Sequence, residues 1–291
     1  ISKWHNIDPS MILPGNGASE LFTWAARDAS LNGISSLPSP GFGDYKRALK
    51  CWNAPYIHNP LPLSWGDKKH HSFPIEPKAN VLWITNPHNP TGQLWSRSSI
   101  ENLLTNYKLV ICDEAFISIV PGGENQSIID LTKSNKNLIV IRSLTKFLGI
   151  AGLRIGYAIT HSDRLSKWEN IRDPWPVNTL AINVTNMIMK ETKMHKKRLK
   201  KIHRWVKEEG KWLNKNLSDF SSLSPLPSNT NFQLIKSEIP ILNILEKLKN
   251  RGILLRDCRS FTNLDENWFR ISLQKRKDNI KIINTLKEYI N

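Results

Sequence analysis

The 291-residue chain carries 41 Lys and Arg against 25 Asp and Glu, a formal charge of +16, and 40% of it is apolar, which excludes a disordered chain. No apolar run approaches the roughly 20 residues of a membrane helix, residues 1–5 lack the order of a signal peptide, and Cys51, Cys112 and Cys258 form neither a disulfide framework nor a metal knuckle. A reducing, cytoplasmic setting is expected, and the charge raises nucleic acid or an anionic surface as a partner to be weighed.

In chain order, the sequence opens in what reads as a helix already under way. Gly15-Asn16-Gly17-Ala18-Ser19-Glu20-Leu21 is a Gly-rich turn feeding a helix. Free N–H groups and the helix dipole at such a start suit a phosphate, and a simple helix cap fits equally well. No clear strand precedes it, its third Gly is absent and no Gly-Lys-Ser/Thr follows, so it is neither a dinucleotide fingerprint nor a P-loop. Four short apolar runs, 81–84, 109–112, 138–141 and 155–159, lack alternation and suit strands buried on both faces of a parallel sheet. Helix-like segments at 94–107 and within 118–135 separate them, the α/β signature.

Beyond residue 163 the texture changes. A polar and basic helix is expected over about 180–217, broken by the Ser-, Pro- and Asn-rich stretch 218–231. An amphipathic helix over 239–250, strands at 252–255 and 268–273, and a closing helix over 278–290 follow. The expected division is a large α/β domain over 1–180, a linking helix over 181–221 and a smaller α+β domain over 222–291. The basic run 190–207 could track a nucleic-acid backbone, but Met187, Met194, Ile202, Trp205 and Val206 keep an apolar stripe, so its charges read as a solvated face. His70-His71 adjoins no Cys or carboxylate at ligand spacing, and no metal site is expected.

In an open α/β sheet ligands bind beyond the carboxyl ends of the strands. Three successive runs end in polar groups: Asn86-Pro87-His88-Asn89-Pro90-Thr91-Gly92, Asp113-Glu114-Ala115-Phe116 and Ser143-Leu144-Thr145-Lys146. Each alone is ordinary turn or cap chemistry. Together they would bring an amide, a carboxylate, hydroxyls and an amine to one rim.

These strings, with the Gly-rich turn and Ala151-Gly152-Leu153-Arg154-Ile155-Gly156-Tyr157, resemble the fold-type-I pyridoxal phosphate enzymes, the class I and II aminotransferases and their relatives. The resemblance runs through nearly the whole chain. It implies an aspartate-aminotransferase-like fold, pyridoxal 5'-phosphate as cofactor and a homodimer. Under it, Lys146 supplies the amine that condenses with the cofactor aldehyde, and Asp113 pairs with the ring nitrogen and keeps it protonated. Asn89 donates to the phenolic oxygen, and Phe42, in Pro40-Gly41-Phe42-Gly43-Asp44-Tyr45, stacks on the ring. Gly17 and the N–H groups of Ala18 and Ser19, with Ser143 and Arg154, hold the phosphate. Phe116 departs from the tyrosine often found there, which leaves the phenolic contact to Asn89.

Two subfamilies are similar: histidinol-phosphate aminotransferase and the L-threonine O-3-phosphate decarboxylase of cobalamin biosynthesis. Thr145-Lys146-Phe147, Asp113-Glu114-Ala115-Phe116, Pro174-Trp175-Pro176-Val177-Asn178, and Gly252 to Cys258 with Phe261 and Phe269-Arg270-Ile271 lean toward the decarboxylase. Arg270 matches the arginine that grips the substrate carboxylate, and Arg256 would face the substrate phosphate or share that carboxylate. Arg259 is expected in solvent and Cys258 in packing. A His-Gly-Gly stretch and a tyrosine that reaches the phosphate across a dimer precede the Gly-rich turn in such relatives. Neither has a counterpart here, which implies a late start or a missing N-terminal segment. A non-catalytic relative is the remaining reading, and the intact Lys146, Asp113, Asn89 and Arg154 speak against it.

Overall fold

The computed structural model describes residues 1–66, 70–74 and 78–290. Its first half contains α1 (Ser2–His5), β1 (Ile12–Asn16), α2 (Gly17–Ser30), β2 (Ser35–Ser39), α3 (Asp44–Lys50), β3 (Tyr56–Pro60), β4 (Val81–Thr85), α4 (Arg97–Glu101), β5 (Leu109–Asp113), β6 (Leu138–Ser143), α5 (Leu144–Leu148) and β7 (Ile155–Ile159). These seven strands form one sheet in the order β1-β7-β6-β5-β4-β2-β3. β3, β2, β4, β5 and β6 run parallel, and β7 is antiparallel to both β6 and β1. The apolar runs of β4 and β5 are buried throughout, as a sheet covered on both faces requires. One face packs Leu82, Ile84, Val110, Val140 and Trp95; the other packs Val81, Trp83, Ile111 and Ile141 against Leu21, Phe22 and Ala25 of α2.

The second half holds α6 (Ser162–Glu169), α7 (Thr179–Lys190), α8 (Thr192–Ser218), β8 (Leu223–Pro225), β9 (Phe232–Ser237), α9 (Leu242–Asn250), β10 (Arg256–Asp257), β11 (Trp268–Ser272) and α10 (Arg276–Ile290). An antiparallel sheet, β10-β11-β9-β8, has its own core, where Leu213 and Leu217 of α8 meet Ile235, Phe269, Ile271 and Leu286. No helix of the described residues is long and apolar enough to cross a membrane.

Several expected elements differ. The helix over 94–107 shrinks to α4, capped by Ser96, and its remainder is turns, where Thr105 and Asn106 bond locally in place of a helical ladder. The segment 118–135 holds only 3-10 turns, because Pro121-Gly122 breaks it and Gly122 takes φ +73°. The expected long helix is two, broken at Glu191. Its apolar stripe is also misplaced: Met187 and Met194 are exposed, and the buried apolar residues of α8 are Val206, Leu213 and Leu217. The strand expected at 252–255 is replaced by the two residues of β10, since Gly252 ends α9 at φ +73°. Conversely, a strand does precede the Gly-rich turn. β1 is an edge strand of alternating burial that carries Pro14, so it lacks the continuous apolar run of the inner strands.

Beneath the sheet's carboxyl rim lies a buried ionic cluster. Arg142, 1% exposed, donates from Nε to Glu114 Oε2 (2.8 Å), from Nη1 and Nη2 to the two Glu124 oxygens (both 3.0 Å), and to the hydroxyls of Ser118 and Ser127. Glu114 also accepts from the Ser127 hydroxyl and the Ile128 N–H, so both its oxygens are satisfied. Burial opposes the charge on Arg142, but Glu114 and Glu124 outweigh it and hold the guanidinium ionised. Removing one partner of such a cluster strands the other. Arg142→Met should therefore lower stability by about 3–5 kcal/mol in urea unfolding, and adding Glu114→Gln should recover part of the loss. An equal or larger loss in the double variant would contradict this account.

Candidate active site

The register of the sheet brings the polar strand ends to one rim. Thr85 of β4 pairs with Asp113 of β5, Asp113 with Ile141 of β6, Ser143 with Gly156 of β7, and Asn16 of β1 with Ile155. Because β7 is antiparallel, Arg154 at its entry reaches the rim where β5 and β6 end. A cavity of about 550 Å³ opens there between this rim and the segment around β10 and β11. Ala18, Ser19, Phe42, Asn89, Asp113, Ser143, Lys146, Arg154, Arg256 and Arg270 all line it. Gly17 does not line it but touches Arg154: a Cβ on Gly17 would sit 2.5 Å from Arg154 Nη2.

Lys146 projects from the short helix α5, whose first turn is capped when the Ser143 hydroxyl accepts from the Thr145 N–H at 3.3 Å. Its Nζ lies 5.3 Å from the centre of the Phe116 ring. Burial and then Arg270 press its pKa below the ordinary lysine value, against the pull of Asp113. Asp113 is the buried acid of the cavity. Its Oδ1 accepts from the Ala115 N–H at 2.9 Å and its Oδ2 from the Tyr45 hydroxyl at 2.6 Å. Burial pushes this carboxyl up to about 6 even so.

One end of the cavity is built from backbone. α2 starts at the rim, and its first N–H groups have no intrahelical partner. Glu20 reaches back to the Asn16 N–H at 2.6 Å and pairs with Arg172 at 2.8 Å, which fixes the helix start without filling it. Gly156 lets β7 come flush with this start, since a Cβ there would lie 2.8 Å from Ala18 N and 2.9 Å from the Arg142 carbonyl oxygen. Arg154 sits in the left-handed region at φ 52° beside Gly17.

At the other side, Arg270 Nη1 donates to Asn89 Oδ1 at 2.5 Å, and its guanidinium lies 4.5 Å above the Phe232 ring. That bond takes the Asn89 oxygen and leaves the Nδ2 hydrogens as donors. Arg256 is exposed, donates to Ser260 Oγ at 2.8 Å and lies over Phe261. Arg259 pairs with Asp257 at the surface, and burial pushes the Cys258 thiol up to about 12, as inert packing requires.

The arrangement offers an amine, a buried acid, an aromatic wall, a helix start and a pair of arginines in one space. Residues 1–285 match the sequence model of the aminotransferase class I and II family. The chain belongs to that family. It is 32% identical, over 99% of its length and 79% of the relative's, to a protein of Caldanaerobacter subterraneus subsp. tengcongensis provisionally named a threonine-phosphate decarboxylase. It is 30% identical, over 99% of its length and 80% of the relative's, to histidinol-phosphate aminotransferase 2 of Archaeoglobus fulgidus. The fold matches that of the Sinorhizobium meliloti histidinol-phosphate aminotransferase, solved in complex with pyridoxal-5'-phosphate, at a TM-score of 0.82 and 19% identity, covering 99% of this chain and 79% of that one.

Two residues of this class I and II site carry no expectation from sequence. Tyr45 bonds Asp113 from inside the core, and Gly156 sets the cradle. A Gly inside an apolar strand is itself a sign of close backbone approach, whereas nothing in the sequence pairs Tyr45 with Asp113.

The raised pKa of Asp113 makes stability depend on pH. An unfolded carboxyl titrates near 3.9, so the folded, cofactor-free protein binds this proton more tightly. The stabilising effect of protonation is complete below about pH 4 and lost as pH rises through about 6. At neutral pH the ionised group therefore costs about 3 kcal/mol. Asp113→Asn should stabilise the cofactor-free protein by up to that amount at pH 7.5, and the two proteins should converge near pH 4 in urea unfolding. A gap that stays constant over that range would contradict it.

Proposed function

We propose that this chain is a pyridoxal-phosphate-dependent enzyme that acts on a phosphorylated amino acid and decarboxylates L-threonine O-3-phosphate for cobalamin biosynthesis. The observation that carries the reading is a single cavity shared by Lys146, the buried Asp113, Phe42, the cradle beside Arg154 and the two arginines Arg256 and Arg270. The donor set fits the cofactor. A helix start whose Gly17 is closed to a side chain by Arg154 suits its phosphate, and a carboxylate fixed by two donors suits a ring nitrogen.

When bound, pyridoxal phosphate supplies an aldehyde for the substrate amine and a ring that accepts the electron pair of a bond breaking at Cα. The residues of the chain do the rest. Ala18, Ser19, Ser143 and Arg154 would hold the phosphate, Asp113 would pair with the ring nitrogen, Asn89 would offer its NH₂ to the phenolic oxygen, and Phe42 would stack on the ring. Arg270, fixed by Asn89 and Phe232, takes the substrate carboxylate. Arg256 takes the substrate phosphate, for which a guanidinium fork is well matched. As the Cα–carboxylate bond breaks and carbon dioxide leaves, Lys146 Nζ gives Cα a proton. Its lowered pKa suits it both to act as an acid there and to attack when neutral.

Decarboxylation is preferred to transamination because the 32% identical relative bears that name and because four local sequence features lean the same way. A homodimer belongs to the proposal, with Trp175, Leu180 and Met187 as exposed apolar residues for a second copy to cover. So does a cytoplasmic setting, supported by three free cysteines. The division into 1–180, 181–221 and 222–291 is supported by two sheets with separate cores.

Adding pyridoxal phosphate should produce a visible absorbance band that Lys146→Ala abolishes, together with at least roughly a hundredfold of the activity. Without such a band in the wild type, the cofactor reading fails. Given O-phosphothreonine, the loaded protein should release carbon dioxide. Glutamate formed from histidinol phosphate and 2-oxoglutarate, with no carbon dioxide from O-phosphothreonine, would replace the decarboxylase with an aminotransferase.

A further inference from the structure

Tyr45 is the second residue of α3 and is 1% exposed. Its ring is fixed on three sides: edge-on to Phe22 at 5.1 Å, tilted against Trp83 at 5.1 Å, and edge-on to Phe42 at 5.6 Å. Its hydroxyl stands 2.6 Å from Asp113 Oδ2 and 2.8 Å from Thr85 Oγ1. A phenol has one hydrogen to give. At a carboxylate it goes to the anion, since a charge-assisted bond of this length is the stronger of the two. Thr85 is then the donor to Tyr45, and the three residues form a directed chain from Thr85 through Tyr45 to Asp113.

The chain is buried in the seven-stranded sheet and owes its geometry to that sheet. Thr85 and Asp113 are register partners at the ends of β4 and β5. Phe42, three residues before Tyr45, leads into α3, and both aromatic rings contact Phe22.

We propose that Tyr45 is a positioning residue of the reaction: its hydroxyl orients the Asp113 carboxylate and keeps it anionic for the group that Asp113 faces, with Thr85 as the outer donor. This rests on the reading that Asp113 faces the ring nitrogen of pyridoxal phosphate. The physical need is clear from the site itself. Asp113 is buried, Lys146 stands nearby but its own charge is weakened by burial, and among the described residues the remaining donor to the carboxylate is the Ala115 N–H. A carboxylate that loses its phenol becomes more basic. It then draws the proton off the ring nitrogen, and the ring accepts electrons less well.

The test is Tyr45→Phe, which keeps the ring and removes the hydroxyl, read first without cofactor. Carbon-13 NMR of the aspartate carboxyls, with the Asp113 signal assigned by its loss in Asp113→Asn, should show a midpoint near 6 in the wild type. In Tyr45→Phe it should rise by about one unit, the equivalent of a hydrogen bond to a charged group. In the loaded protein, the nitrogen-15 signal of labelled cofactor should move toward the unprotonated ring, and kcat should fall roughly tenfold with KM little changed. Thr85→Val, with nearly the same volume, should shift both readouts in the same direction by less, and it decides the matter alone if Tyr45→Phe does not fold. An unmoved Asp113 midpoint overturns the proposal, as does a raised midpoint with unchanged kcat. A wild type that shows no Lys146-dependent band sinks the cofactor reading, which the carboxyl titration does not depend on.

Discussion

The site depends on one buried cluster that never touches the cavity. Side chains alternate across a strand, so Asp113 and Glu114 point to opposite sides of the end of β5, and Arg142 and Ser143 do the same at the end of β6. On the hidden side Arg142 bonds Glu114, Glu124, Ser118 and Ser127. On the open side Asp113, Ser143 and Lys146 line the cavity. The ion pair beneath therefore locks the two strand ends whose neighbours line the cavity. Such a cluster is a poor source of net stability, because removing charges from water costs several kcal/mol per ion. Its effect is geometric. The same cluster reaches α8, where His203 bonds the Ser118 carbonyl oxygen at 3.0 Å, so the second sheet's approach to the rim is tied to it as well.

The cavity shows how the charge of the chain is distributed. Lys146, Arg154, Arg256 and Arg270 face one space with Asp113 and Asp44 as its acids. Burial and then Arg270 press the Lys146 pKa down, and burial, joined by Arg256, lowers that of Arg270. Such an excess of cations favours anions, and the phosphate and carboxylate of the proposed ligands would relieve it. Most of the remaining +16 lies elsewhere. The lysines of α8 are exposed on the face opposite Val206, Leu213 and Leu217, and they need no polyanionic partner to account for them.

Much of this was legible in the sequence because the relevant signals are local. Continuous apolar runs at 81–84, 109–112 and 138–141 announce buried parallel strands, and the polar residues that follow them must lie on one rim. Other features rest on contacts distant in sequence. β2 reads Ser-Ser-Leu-Pro-Ser, yet all five residues are buried, because the sheet and not the side chains supplies its partners. Arg142 looks like an ordinary charge beside Ser143 until the turns of 117–133 fold Glu124 and Ser127 over it. Met187 and Met194 keep helical spacing with Ile202, but the break at Glu191 cancels that phase. Tyr45 is joined to Asp113 across 68 residues, and neither residue type announces the other.

Under the proposed function, which bond breaks at Cα turns on how two cations divide two anions. Arg270 is held on two sides, by the Asn89 oxygen and the Phe232 ring, and its strand β11 is central to the second sheet. Arg256 belongs to the two-residue edge strand β10, is exposed and bonds Ser260 four residues away. A fixed cation sets the orientation of whatever it binds, whereas an exposed edge cation can follow its ligand. In the proposed reading the carboxylate goes to the fixed arginine and the phosphate to the exposed one. Ser39 and Lys46 both bond Thr262, which joins the wall bearing Arg256 to the loop bearing Phe42. The phosphate end of a substrate therefore sits on the part of the cavity tied to the ring-covering aromatic. Under the proposed function, its reach from Arg256 to Arg270 would set the rotation about Cα, and so which bond stands perpendicular to the ring.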